Sequence, residues 1–156
     1  MKKVYLILGN ALLLLPLSSF AQTAAAREET AVSQKREVGK EVVAAGTPYS
    51  PGILIGNSLY IAGLQGTELQ THKLPPEFAQ EVRNCLENVG QVLKDAGMTY
   101  DDVVSVQIFL VDISQFPQVN EIYTEYFKGT LPARTTVQVA KLSLGSRIEI
   151  SAIAQK

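Results

Sequence analysis

Cysteine and histidine each occur once in 156 residues, as Cys85 and His72. A single cysteine excludes an intrachain disulfide, a C-x-x-C redox pair and a thiolate zinc cluster, so stability has to come from a packed core or from association between chains. His72 lies in a loop-like segment beside Thr71 and Lys73 and reads as a solvated side chain rather than a base. With no second histidine to join it, metal-assisted hydrolysis lacks a ligand set. Also missing are G-x-G-x-x-G after a strand, G-x-x-x-x-G-K-S/T, H-E-x-x-H and the G-x-S-x-G elbow of a serine nucleophile. No cofactor and no metal is therefore expected. Charge is nearly balanced, with 14 basic against 15 acidic side chains and one neutral histidine. Such a surface has no general attraction for nucleic acid or anionic lipid.

Long apolar runs are confined to the N-terminus. Lys2 and Lys3 precede a mostly apolar stretch from Val4 to Leu17, and Ser19–Phe20–Ala21 puts small residues at the third and first positions before a cleavage point. This is the pattern of a secretory signal peptide over residues 1–21. A single-span anchor or a buried N-terminal helix fits less well, because Asn10 and Pro16 interrupt a run already short for a span. No cysteine is present there to carry a lipid. Periplasmic or secreted localisation is expected, with no stable membrane insertion after cleavage. The remainder is about 135 residues, enough for one domain, and carries a charge of about −3 once Lys2 and Lys3 are removed. Residues 22–41 are rich in Ala, Glu, Thr and basic residues and predict a flexible leader; the compact domain is expected over 42–156.

Within that domain, Gly46–Gly52 contains Pro48 and Pro51 and predicts a turn-rich segment that holds Tyr49 in place. Ile53–Ile55 and Leu59–Ala62 flank a Gly56–Asn57–Ser58 turn as a β-hairpin, ended by Gly63 and Gly66. From Pro75 to Ala96 the period changes: Phe78, Val82, Cys85, Leu86, Val89, Val92 and Leu93 make one apolar helical stripe, with Glu81, Arg83, Glu87 and Lys94 expected to face away. Cys85 on that stripe reads as core, and Asn84 and Asn88 as surface or capping groups. Val103–Val111 predicts a central strand, and Phe116–Phe127 a second helix with Val119, Ile122, Tyr123 and Phe127 inward. A strand through Arg134 follows, then Arg147–Ala154 with Ile148, Ile150, Ala152 and Ala154 on one face. The order is β-β-α-β-α-β-β, an α+β fold with two helices on one face of the sheet. The uncovered face calls for neighbouring subunits.

The most informative stretch is Leu131–Ala140, where Pro132 fixes a turn immediately before Arg134 and a strand-like run. An isolated arginine there is either a solvent-facing turn residue or a receptor for a small carboxylate. The planar guanidinium favours the second role, since it offers two parallel charge-assisted hydrogen bonds where lysine offers a point charge.

Five segments decide between these readings. They are Thr47–Gly52, Gly56–Gly63, Val119–Asn120–Glu121–Ile122–Tyr123, Pro132–Ala133–Arg134 and Arg147–Ala154. In order and spacing the domain resembles the Rid family (YjgF/YER057c/UK114, formerly endoribonuclease L-PSP) of small imine deaminases, over roughly three quarters of the chain. The resemblance implies a chorismate-mutase-like, YjgF-type barrel formed by a homotrimer, with clefts between adjacent subunits. It implies hydrolysis of small 2-imino or 2-enamino acids to 2-oxo acids and ammonia without a cofactor. Arg134 would grip the substrate carboxylate, Tyr49 would line the cleft and Asn120 would support the site, while Gly63, Thr136 and Ser151 would complete the substrate-binding surface. On this reading Ser151 stands where the family has a water-positioning glutamate on the last strand, and Glu149, about 6.6 Å along the same strand face, is no substitute. Ala62 and Leu64 flank Gly63 where the family has serine and glutamine. A non-catalytic trimer that binds small carboxylates is the alternative, and nuclease or protein-interaction roles trail both.

Overall fold

In the computed structural model, which describes residues 34–156, a single six-stranded sheet carries two long helices. The elements run β1 (Arg36–Val38), β2 (Gly52–Ile55), β3 (Ser58–Gln65), α1 (Phe78–Asp95), β4 (Val103–Leu110), α2 (Phe116–Tyr126), β5 (Ala133–Gln138) and β6 (Ile148–Gln155), interspersed with short 3-10 turns. Strand order across the sheet is β1-β2-β3-β6-β4-β5. Only β4 and β5 pair in parallel, because α2 carries the chain back to the starting end before β5 begins. The fold is α+β as expected. Residues 1–33, and with them the expected signal peptide and most of the expected leader, lie outside the described residues.

The leader's expected end at residue 41 is corrected. Arg36–Val38 adds a strand against β2, pairing Arg36 with Leu54 and Val38 with Gly52, and both Val38 and Val42 are buried. Gly39 makes the turn between them at φ 73, its backbone lying against Val92 with no room for a side chain. A three-residue strand is too short to show periodicity, which is why composition alone classed it with the leader. β3 is likewise longer than expected. It passes through Gly63 to Gln65, with a register irregularity between Ile61 and Leu64.

The core lies between one sheet face and the helices. Every residue of the expected α1 stripe is buried, and so are Val119, Ile122, Tyr123 and Phe127 from α2 and its end and Ile148, Ile150, Ala152 and Ala154 from β6. Cys85 is core: its Sγ–H donates to the Leu64 carbonyl at 3.0 Å, and burial pushes the thiol up, away from the nucleophilic thiolate. Three polar residues of α1 depart from the outward orientation expected of them. Asn84 donates to the Gly66 carbonyl, and Asn88 to those of Gln65 and Thr67, at 2.9–3.2 Å. These carbonyls belong to backbone leaving the sheet, so without the asparagines they would be buried without donors.

Glu81 is the third, and it is fully buried. Its carboxylate accepts from the Ser146 hydroxyl at 2.8 Å, the Arg147 backbone N–H at 2.7 Å and Arg147 Nε at 2.5 Å. Arg147 also donates to the Pro75 and Pro76 carbonyls and lies over the Phe78 ring. The buried charge is thus paired and fully hydrogen-bonded, the condition under which such a group is tolerated. Arg147→Met should leave that carboxylate stranded and lower stability by about 3 kcal/mol, whereas Arg83→Met, which breaks the exposed pair with Glu125, should barely move the urea midpoint. Equal losses in urea denaturation would contradict a structural role for the buried pair.

Candidate functional site

β5 is an edge strand, and Arg134 is its second residue. It pairs in register with inward-facing Val106, so its side chain points toward the helices rather than across the bare sheet face. On α2, Phe116, Asn120 and Tyr123 recur at four and three residues and share one face. That face receives the arginine: Nη2 donates to Asn120 Oδ1 at 2.8 Å, and the guanidinium carbon lies 4.7 Å from the Tyr123 ring centre and 5.3 Å from that of Phe116. Aromatic faces and a neutral amide fix its plane without cancelling its charge. Among the described residues Arg134 forms no salt bridge.

Thr136, two residues along β5, is on the same side, and its hydroxyl is buried without a hydrogen-bond partner. The Tyr123 hydroxyl is in the same condition. Burial pushes its pKa up to about 12 against the opposing pull of Arg134, so it stays protonated at neutral pH. This edge therefore offers a cation with free donor capacity and two hydroxyls, a fitting receptor for a carboxylate.

Tyr49 and Gly63 lie elsewhere. Tyr49, half exposed on the turn before β2, borders a cavity of about 250 Å³ together with Val43, Leu64, Gln65, His72 and Leu144. His72 is half-buried on this wall with φ 53, not the freely solvated loop residue expected from composition. Gly63 is on β3, and a Cβ there would collide with the Glu149 carboxylate on β6. Gln65 joins the two features: its side-chain amide donates to Glu149 Oε2 at 3.1 Å and to Ser143 Oγ at 2.5 Å, and it also lines the cavity.

The structure brings Arg134, Asn120 and Thr136 together but does not unite them with Tyr49 and Gly63 in one chain. Three strand spacings, about 14 Å, separate β5 from β3. Ser151 belongs to neither group. It pairs with Gln107 on the bare sheet face and donates to its side-chain carbonyl at 3.3 Å. The acid facing Gly63 is Glu149, so an acid does stand beside this glycine although Ser151 was the position expected there. Strand alternation puts both side chains on one face but cannot tell which one meets a neighbouring strand. The missing signal was Gly63 itself, whose absent side chain makes the space that Glu149 fills. Among the described residues no group of histidine, cysteine and acidic side chains is arranged to hold a metal ion.

Known proteins share this fold. The family model described as Endoribonuclease L-PSP matches residues 39–156. A rat protein named 2-iminobutanoate/2-iminopropanoate deaminase is 45% identical over 107 residues, spanning 68% of this chain and 78% of its own. Among solved structures, a Rid-family protein of unknown function from Yersinia pestis superposes with a TM-score of 0.74 at 36% identity, covering 79% of this chain and 100% of its own. Escherichia coli TdcF, solved with bound serine, gives a TM-score of 0.73 at 29% identity and covers 78% and 99%. With a family model spanning residues 39–156, from the turn after β1 to the end of β6, and relatives of this identity, the chain belongs to the Rid (YjgF/YER057c/UK114) family, alongside proteins named as imine deaminases.

Proposed function

We propose that this protein hydrolyses small 2-imino and 2-enamino acids to 2-oxo acids and ammonia, and that it does so outside the cytoplasm. The observation that carries the reading is the Arg134 guanidinium, held by Asn120 at 2.8 Å and by two aromatic faces yet paired with no acid among the described residues. The names of the relatives support the same chemistry, and bound serine in the TdcF structure supports a small amino-acid-like ligand. Export is supported by the signal-peptide pattern of residues 1–21.

In the proposed reaction Arg134 binds the substrate carboxylate and so fixes the adjacent imine carbon. Protonated imine carbon is already electrophilic, so orientation beside a held water supplies much of the rate. Glu149 accepts a proton as the water oxygen bonds to that carbon, giving a carbinolamine. Returning the proton to nitrogen makes it a leaving group; Glu149 then takes the hydroxyl proton as the C–N bond breaks and the C=O bond of the 2-oxo acid forms, and releases that proton to the departing ammonia or to solvent. The alternative of a binding-only protein drew in part on Ser151 standing in place of an acid, and Glu149 beside Gly63 weakens that support.

Since one chain separates the two halves, the site is completed between copies: Tyr49, Gly63 and Glu149 of one face Arg134, Asn120 and Thr136 of the next in a homotrimer. Exposed Tyr60, Val104, Val137 and Ile153 suit burial in such an assembly.

Arg134→Ala should lower kcat/KM for 2-iminopropanoate and 2-iminobutanoate by about 10²-fold or more, read as ammonia and 2-oxo acid release above the uncatalysed rate. Ammonia release by the wild-type protein no faster than in buffer would end the deaminase reading. Glu149→Gln should cost about 10²-fold or more in kcat, while Ser151→Ala should leave kcat within about twofold; the opposite ranking would return the acidic role to the position of Ser151. Co-refolding Arg134→Ala with Glu149→Gln should restore about a quarter of the sites. No recovery, with trimers formed, would mean that both residues serve the same chain's site.

A further inference from the structure

The cavity that Gln65 links to Glu149 carries more apolar wall than a site for the smallest imino acids would use. Val43, Leu64, Tyr49 and Leu144 supply its main apolar lining, and Thr47, Gln65, Thr67 and His72 its polar groups. At about 250 Å³ it falls below the roughly 300–1,000 Å³ usual for a whole drug-sized ligand. It has room for a substituent well beyond a methyl group, against which an isobutyl group would remove more apolar wall from water.

Leu144 makes the case specific. It is the most exposed large hydrophobic residue in the described chain, at 74% of its full accessibility, and it holds φ 57 in the short turn Ser143–Gly145. Leucine in the left-handed region is unfavourable, and an exposed leucine gains nothing from burial in return. Strain retained at such a place points to a role outside the fold's own stability. The turn is also tied to the proposed chemistry. Ser143 Oγ and Glu149 Oε2 accept from the same Gln65 amide, at 2.5 and 3.1 Å, so the Leu144 wall and the acid keep a fixed relation.

We infer that this cavity receives the side chain of the substrate, and that Leu144 directs the protein toward 2-imino acids with branched apolar side chains over 2-iminopropanoate. The inference rests on the deaminase reading for its reaction, but the cavity can be tested without turnover. A leucine-derived imine, 2-imino-4-methylpentanoate, has the shape required: its carboxylate goes to Arg134, its imine carbon lies beside Glu149, and its isobutyl group replaces water against Val43, Leu64 and Leu144. The discrimination follows from apolar surface removed from water, which the alanine-derived imine cannot supply.

The test compares kcat/KM for the two imines in the mature protein and in Leu144→Asn. Asparagine tolerates the left-handed backbone while removing the apolar wall. The wild type should prefer the leucine-derived imine by about tenfold or more, and the variant should lose most of that ratio with its thermal midpoint kept. A wild-type ratio at or below one, or a ratio unchanged in the variant, would overturn the inference. In parallel, thermal midpoints are measured with 4-methyl-2-oxopentanoate and with pyruvate at equal concentration. If neither imine is turned over, the deaminase reading fails by itself. Larger stabilisation by 4-methyl-2-oxopentanoate, lost in Leu144→Asn, would still uphold the cavity's role, and equal or absent stabilisation would refute it.

Discussion

A buried carboxylate organises this domain. Glu81 sits inside a helix that otherwise offers the sheet a continuous apolar stripe, and its oxygens take three donors from the two residues that precede β6. Arg147, one of those residues, reaches on to the Pro75 and Pro76 carbonyls ahead of the same helix. Two long loops and one helix are thereby tied at a single point, immediately before the strand that carries Glu149. Sheet pairing alone fixes a strand's register through its hydrophobic alternation. Here the ion pair adds a polar lock immediately ahead of the strand's first residue, so Ile148 and Ile150 go to the core and Glu149 to the opposite face.

The sheet order explains why the candidate site is divided. β5 enters at an edge because its parallel pairing with β4 requires α2 as a crossover, and the same helix supplies the floor under Arg134. β6, last in sequence, inserts between β3 and β4, so the Gly63–Glu149 contact forms in mid-sheet. The topology that gives each half rigid support also keeps the halves apart within a chain. Edge strands with unpaired backbone groups invite further contacts, and the proposed assembly would bring two incomplete halves within reach of each other.

Much of this was legible in the sequence. The α1 stripe, the β2–β3 hairpin, the inward face of α2 and the alternation of β6 all follow from residue period, since burial on one face imposes it. Arg134 stood out because of the proline before it. What escaped was set by contacts across the fold. β1 has three residues and no period. Glu81, Asn84 and Asn88 have outward-facing chemistry but inward-facing partners that only tertiary structure provides, namely Arg147 and the carbonyls at the end of β3. Glu149 was passed over for Ser151 because alternation along one strand carries no information about the next. The glycine opposite it does.

The proposed division also matches the charge of the reactant. A protonated 2-imino acid is a short zwitterion, with its carboxylate and iminium groups on adjoining carbons. A single arginine would hold the carboxylate but repel the iminium beside it, in surroundings where low dielectric strengthens both effects. An acid on the far wall turns that conflict into alignment, since the substrate's dipole then lies along the field between Arg134 and Glu149. In the proposed site that alignment would present the imine carbon to a water beside Glu149 and leave the remaining substituent pointing toward the neighbouring cavity. In this chain that direction is walled by Val43, Leu64 and Leu144. Orientation by two opposed charges and selection by an apolar wall are thus consequences of one placement, and the position of Glu149 beside a glycine determines both.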